Sequence, residues 1–392
     1  MKFTIDKKEL EEAMRLPAQL AKGSQETKLR ITIDKGKMLV TATNLAIDLT
    51  SRTDVRQDEE YADCSCLFYV ESAWIKDLVE ELPEGDIDVV VGSVSLNLDW
   101  PGGGATFPAF GEDSPFPTGL RIGQDPASPI RHVGVPRDVA MRAFGAALPF
   151  LDNDQYRAPV FWNVLFDVNE NGGVTIVGTD GRVLVSYDMP GEGAGEAFRF
   201  LIPKTGVALL RGIADKDADS ILLHCDGKIA TASTPRYDIA IRCSEPKYPA
   251  YRSLFTGGGG NYMLRLDRRA AMQSVRRGAA LAGAPDGAVA MTLSEGSGEL
   301  ALRVQNAQTK AVSRETLPCG WNGPDMEVAF NAEHLTNLLH GMDTDGVVLG
   351  ISAPDKAVLL FPQEDGPAKG MIMPVPVPPE IKEPARKGKG AR

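Results

Sequence analysis

Few side chains in this sequence are spaced for catalysis. The four histidines, His132, His224, His334 and His340, are dispersed along the chain. Cys64-Ser65-Cys66 could offer two thiolates to a soft metal, but no second pair follows at zinc spacing. Alternate residues of a strand share a face, so a strand with both cysteines on one face is the simpler reading. Asp180, in Thr-Asp-Gly, reads as a turn-forming residue rather than a general base. A hydrolase built on Asp180 and Asp226 would need a nucleophile on which they converge, and the sequence offers none. The patterns GxxxxGK[ST], HExxH and GxSxG are absent. The glycines of 191–195 and 257–260 do not join a strand to a helix in a βαβ unit, so they read as turn and linker glycines. The expectation is a protein without catalytic residues, metal or cofactor.

Binding is better supported. Residues 265–280, RLDRRAAMQSVRRGAA, predict a helix with Ala271, Met272, Val275 and Ala279 on its apolar stripe. Arg269, Gln273, Arg276 and Arg277 take the opposite side, and Arg265 and Arg268 lead into it. Other predicted helices add Arg137 and Arg142, and Lys204 and Arg211. Positive charge without a base-reading pattern suits a surface that tracks phosphates. A solvated arginine face is the alternative for any one helix.

The elements that carry these residues repeat. A short apolar strand running into an amphipathic helix recurs six times, near residues 3, 67, 133, 198, 262 and 328, about 65 residues apart. Asp6 with Glu9 makes a capping pattern, Asn331 is a good N-cap, and Pro203 suits a first helical turn. Ile75, Leu78, Val79 and Leu82 mark one buried helical face, as do Leu335, Leu338, Leu339 and Met342. Runs such as 87–100, 220–233 and 346–361 alternate in polarity about Gly, Asp or Pro and read as hairpins. Each unit is strand, helix, then about three strands, and two units make a domain of the α+β class. Three domains follow, 1–126, 131–255 and 261–377, with Pro/Gly/Ser-rich linkers at 111–129 and 253–261. The Pro- and Lys/Arg-rich tail, 378–392, has too few apolar residues to fold. Repeated sheets must hide their edge strands. Pairing edge to edge into a closed ring, with helices facing the hole, does so.

Composition sets further bounds. With 392 residues, 43% apolar and 24% charged, the chain reads as globular, and no stretch is apolar enough to span a membrane. The start lacks a signal core, and the five cysteines are odd in number and scattered, which predicts a reduced, cytoplasmic setting. The net charge of −11 is uneven: residues 1–130 hold 13 Lys+Arg against 23 Asp+Glu, residues 131–256 hold 14 against 15, and the remainder 15 against 15. The acid lies in the first third, so a basic surface elsewhere is compatible with it.

Ordered along the chain are MKFTI at the start, TNLAIDL (43–49), LPEG (82–85), VLFD (164–167), TDGRVL (179–184), KYPAYR (247–252), FNAEHL (330–335) and MIMPV (371–375). In that order and spacing they resemble the bacterial sliding clamp, the beta subunit of DNA polymerase III. The resemblance implies a homodimeric ring of three-domain subunits around double-stranded DNA, held without regard to sequence. Its implied partners are the DNA polymerase III catalytic subunit, the clamp loader and other proteins with a clamp-binding motif. A clamp-like paralogue that serves as a peptide-binding scaffold without encircling DNA is the alternative. The resemblance also implies an apolar pocket for a short partner peptide, formed by Thr179, Gly181, Arg182, Val183, Leu184, Pro249, Leu254, Met371, Ile372, Met373, Pro374 and Val375. Phe107 and Leu281 are the corresponding dimer-interface residues. The chain departs from the family at Arg182 and Val183, where His and Arg are usual, and at Glu71 and Ala73, where positive side chains are common. It also continues for 17 residues beyond Val375.

Overall fold

The structure is a computed structural model. It describes residues 1–380 apart from 23–26, 112, 118, 153–157, 194, 215–218, 245–246, 257–259, 283–286 and 307. Among the described residues the α-helices are α1 (Lys7–Lys22), α2 (Ser72–Glu81), α3 (Arg137–Ala147), α4 (Lys204–Ile213), α5 (Tyr251–Thr256), α6 (Arg268–Ala282) and α7 (Ala332–His340). Setting α5 aside, the helices begin at residues 7, 72, 137, 204, 268 and 332, intervals of 65, 65, 67, 64 and 64. Each follows directly on a strand, so the sixfold period is a period of the fold. None of the described helices is long and apolar enough to cross a membrane.

Local chemistry sets the helix starts. Asn331 accepts a hydrogen bond from the His334 amide at 2.9 Å, as expected of an N-cap. Asp6 accepts from the Lys8 amide at 2.9 Å, but Glu9 does not complete a capping box. Its carboxylate instead accepts from Thr53 Oγ1 at 2.8 Å and meets Arg236 at 3.0 Å. Pro203 sits one residue earlier than expected, at the N-cap itself. The apolar faces are buried at Ile75, Val79 and Leu82 and at Leu335, Leu338, Leu339 and Met342, whereas Leu78, expected on the first face, is only half-buried.

The chain divides into two compact units. The first comprises Met1–Asp138, Val168–Gly172 and Gly191–Glu245. Its larger sheet has eight strands in the order Arg131–Pro136, Ser220–Cys225, Ile229–Ser233, Tyr237–Arg242, Ile47–Asp54, Lys37–Thr43, Lys28–Asp34 and Ser65–Glu71. The join falls between repeats far apart in sequence: Ile239 pairs with Leu49 and Ile241 with Ile47, antiparallel. Its smaller sheet has five strands and ends in Gly103–Pro108.

In the second unit the strands Val174–Thr179, Val183–Met189, Ala368–Ile372, Val358–Pro362 and Gly346–Ile351 lie side by side. Here too distant segments join, with Val183 opposite Ile372 and Leu184 opposite Met371. A four-stranded sheet has the order Val312–Pro318, Glu299–Gln305, Ala288–Leu293 and Met326–Asn331. The mixed α+β class is as the sequence predicts.

The first linker is more structured than its composition suggests. Phe116 packs at a tilt against Tyr69 with ring centroids 5.5 Å apart and lies under the Arg30 guanidinium. Lys28 donates to Ser114 at 3.2 Å, the Gly123 amide donates to Asp226 at 2.9 Å, and Lys228 pairs with Asp125 at 2.8 Å. These bonds strap the segment across the eight-stranded sheet. In the second linker, residues 251–256 form α5.

Close approach of α6 to its sheet requires a glycine. A Cβ at Gly278 would stand 2.4 Å from Val304 Cγ2. Gly278→Val should destabilise the protein: overpacking of about 1–3 kcal/mol outweighs a gain of about 0.4 kcal/mol in helix propensity. Urea unfolding followed by circular dichroism checks this, and an unchanged midpoint would contradict the tight contact.

Candidate functional site

Backbone register builds the first candidate surface. The hairpin of Val174–Thr179 and Val183–Met189 turns through Asp180, Gly181 and Arg182. Asp180 Oδ1 accepts from the Arg182 and Val183 amides, each at 2.7 Å. Thr179 Oγ1 donates to the Val183 carbonyl at 2.6 Å and accepts from the Gly181 amide at 3.0 Å. Gly181 has φ +90°, and a side chain there would run into the Phe161 ring. The turn is closed on its other side by His334 Nε2, 3.2 Å from Asp180 Oδ2. Asp180 is thus the turn former that its sequence suggests.

The C-terminal segment is hydrogen-bonded to this hairpin. Beyond the pairing of Leu184 with Met371, the Met373 amide donates to the Arg182 carbonyl at 2.8 Å. The 248–254 segment is anchored separately. Tyr251 donates to Asp167 Oδ2 at 2.8 Å, Arg252 meets the same carboxylate at 3.1 Å, and the Tyr251 amide donates to the Pro249 carbonyl at 2.7 Å. Burial and the Asp167 carboxylate push the Tyr251 hydroxyl up to about 12, so it stays a donor. Thr179, Gly181, Arg182 and Leu184 are therefore brought beside Met371 and Met373. Val183 and Ile372, at 0% and 1% exposure, are core and support the wall rather than offer apolar surface. That surface falls to Met373 and Leu254, 39% and 41% exposed, with Leu184 nearly covered and Met371 half-buried. Two clefts of about 380 and 470 Å³ lie elsewhere, in the first unit, and carry mainly polar linings such as Glu9, Arg52 and Arg236, or Arg30, Asp48 and Arg121.

The helix cations form the second candidate surface, and most have partners. Arg142 pairs with Asp343 at 3.0 Å, Arg137 with Asp138 at 2.7 Å, and Arg269 with Asp345 at 3.5 Å. Arg268 donates to the Thr344 and Leu339 carbonyls, which satisfies the negative end of α7. Arg277 clasps Glu315, whose other hydrogen bond comes from Ser274 Oγ at 2.7 Å. Arg211, Arg265 and Arg276 are exposed and make no ion pair among the described residues. The buried stripe of α6 also shifts: Ser274 and Gly278 join Ala271 and Val275, while Met272 and Ala279 are only half-buried. The carboxylates that claim these arginines lie 38 to 201 residues away along the chain, except Asp138, and only the fold reveals them.

Phe107 and Leu281 are half-buried. Phe107 lies on the outermost strand of the five-stranded sheet, and Leu281 lies in the last turn of α6. Among the described residues no group of three or more His, Cys, Asp or Glu side chains converges as a metal site. His132 and His224, distant in sequence, face each other on paired strands with ring centroids 6.3 Å apart. Asp226 is committed to backbone amides of Gly123, Lys228 and Ile229. Burial opposes its charge, but those amides hold it below the usual carboxylate range. Cys64 is exposed and precedes the strand that carries Cys66, so the two do not share a strand face.

Residues 260–376 match the family described as DNA polymerase III beta subunit, C-terminal domain. Over 390 residues the chain is 22% identical to a beta sliding clamp of Pseudomonas putida, covering 96% of this chain and 100% of that protein. A beta sliding clamp of Synechococcus elongatus is 26% identical over 210 residues, 52% of this chain and 55% of that protein. Among solved structures, a Caulobacter crescentus beta sliding clamp aligns with a TM-score of 0.83 at 17% identity, covering 96% of this chain and 99% of that one. The DNA polymerase III subunit beta of Pseudomonas aeruginosa aligns with a TM-score of 0.80 at 19% identity, covering 96% and 100%. The likeness to bacterial beta sliding clamps runs the length of the chain, in sequence and in fold.

The clasp on α6 has a pH signature. Hydrogen bonds from Arg277 and Ser274 lower the Glu315 carboxyl to about 2, from 4.5. A depressed carboxyl stabilises the fold above its unfolded value and loses that contribution as pH falls through its folded value. Glu315→Gln should therefore lower the thermal midpoint at neutral pH, with the difference from the unmodified protein shrinking below pH 4.5 and gone near pH 2. A difference independent of pH would contradict the clasp.

Proposed function

We propose that this protein is a DNA sliding clamp that works as a homodimeric ring around double-stranded DNA and tethers the replicative polymerase. The observation that carries the reading is the joining of sheets between distant repeats, together with two terminal strands that have no second partner among the described residues, Gly103–Pro108 in one unit and Val312–Pro318 in the other. An exposed edge is a template for pairing with another chain. A second copy joined head to tail uses both edges and closes rather than growing into filaments. Phe107, on the first edge, and Leu281, at the end of α6, are the interface side chains of this reading. Its three domains are 1–126, 131–255 and 261–377.

Enclosure removes the need for tight contacts. A few unpaired cations, foremost Arg211, Arg265 and Arg276, supply a weak, salt-sensitive attraction to phosphate that still lets the ring move. The paired cations Arg137, Arg142, Arg268, Arg269 and Arg277 contribute less, because their charge is shared with acids or carbonyls; Lys204 completes the set. The polymerase III catalytic subunit, the clamp loader and other clamp-binding proteins would dock by short peptides on the wall of Met371 and Met373 with Leu184 and Leu254. Chemistry stays with the polymerase, and the setting is the cytoplasm.

The decisive experiment loads the protein onto nicked circular DNA with a clamp loader and then linearises the DNA. The protein should stay on the circle and slide off the linear form; equal retention on both would overturn enclosure, and a monomer that still binds partner peptides would favour the scaffold alternative. Replacing Arg211, Arg265 and Arg276 by Glu should lower the amount loaded onto the circle at moderate salt by at least about tenfold, as expected for several lost phosphate contacts, while retention once loaded stays unchanged. Met373→Asp with Leu254→Asp should weaken a labelled polymerase C-terminal peptide by at least about tenfold in a fluorescence-polarisation titration, with the dimer intact. Undiminished binding would rule out this wall.

A further inference from the structure

The residues after Val375 are held across a sheet by a row of side chains that line up in register. Val375 bridges Ala329, Ala329 pairs with Ala290, Ala290 with Arg303, and Arg303 with Arg314. Directly opposed residues of an antiparallel sheet point to the same face, so these four side chains form one line across the four strands. Val304 faces α6 against Gly278, which puts Arg303 and the whole line on the other face. Ala329 and Ala290 are short and fully buried, a low floor. The two arginines stand at the far end.

The extension follows this line. The Val375 amide donates to the Ala329 carbonyl at 2.8 Å. Both terminal nitrogens of Arg303 donate to the Pro378 carbonyl at 3.2 Å, while they also hold Gln305 at 2.9 Å and Glu327 at 3.0 Å. Gln305 donates to the Pro379 carbonyl, and Arg314 meets Glu380 at 3.2 Å. Arg303 is only 13% exposed with the extension in place, and its bonds to Gln305 and Glu327 orient its planar fork towards the Pro378 carbonyl. Four prolines among residues 374–379 keep that stretch extended and lower the entropy lost on docking.

We infer that residues 376–380 are a fixed strap, and that Arg303, Gln305 and Arg314 act through it as positioning residues for the partner-peptide wall at Met371–Val375. The inference rests on the proposed peptide site. The strap begins where that wall ends, so tension at Pro378 and Glu380 keeps Met373 and Val375 on their acceptors, the Arg182 and Ala329 carbonyls. A wall held at both ends presents Met373 in one place, which lowers the ordering a bound peptide must impose.

Hydrogen exchange read by mass spectrometry tests the strap without any peptide. Removing 376–392 should speed exchange of the Met373 and Val375 amides by about tenfold or more, whereas removing only 381–392 should leave it unchanged. Arg303→Leu should match the longer deletion and Arg303→Lys should recover part of the protection. Exchange in the longer deletion equal to that of the full chain overturns the strap. In parallel, a fluorescein-labelled C-terminal peptide of the same organism's replicative polymerase should dissociate severalfold faster from the longer deletion. Unchanged dissociation with faster exchange would overturn the positioning role. Failure of this peptide to bind even the full chain would remove the peptide site while the exchange result still judges the strap.

Discussion

Strand edges that cannot be left open govern this molecule. Each strand–helix–strands repeat makes a sheet too narrow to cover its own borders, and an unpaired border exposes a row of amides and carbonyls. The chain meets that demand by joining sheets across great sequence distance, Ile47–Asp54 to Tyr237–Arg242 and Val183–Met189 to Ala368–Ile372. Helices then fall at even intervals because each follows a strand of fixed place in its sheet. Among the described residues Gly103–Pro108 and Val312–Pro318 are terminal strands with no second partner, and there the proposed partnership with a second copy begins.

Sheets built this way need holding on the face their helices do not cover. Two segments whose composition marks them as loose do that work. Ser114, Phe116, Gly123 and Asp125 of the first linker are tied to residues of the eight-stranded sheet and its turns. Residues 375–380 cross the four-stranded sheet, tied by Arg303, Gln305 and Arg314. In each case proline stiffens the strap, while side chains of the sheet supply the hydrogen bonds it cannot make with itself.

The period, the fold class and the helix faces were legible in the sequence because they are local: a cap such as Asn331 or a face such as Leu335, Leu338 and Leu339 is written within a few residues. The turn at Asp180 was legible for the same reason. What was not legible depended on pairings at long range. Nothing near Arg277 in sequence announces Glu315, and nothing near Arg142 announces Asp343, so the basic face looked larger than it is. Val183 and Ile372 have the residue types of a binding wall and of a core alike. Only their register against each other, deep in one sheet, decides for the core. The straps were hidden because proline, glycine and serine advertise freedom, whereas their fixing side chains sit on remote strands.

The thinness of the basic surface is itself informative. A protein that grips DNA by contacts needs many free cations, since each neutralised phosphate adds its own increment of affinity and of salt dependence. Here five of the nine candidate cations are spent on Asp138, Asp343, Asp345, Glu315 and the end of α7, and the first 130 residues carry a net charge of −10 (13 − 23). Gripping by charge is a poor fit to that distribution. Holding by topology fits it, because the dwell time is then set by the strength of the joints between sheets, and weak contacts inside favour movement along the duplex. In the proposed ring, the backbone pairing that joins the sheets is also what retains DNA.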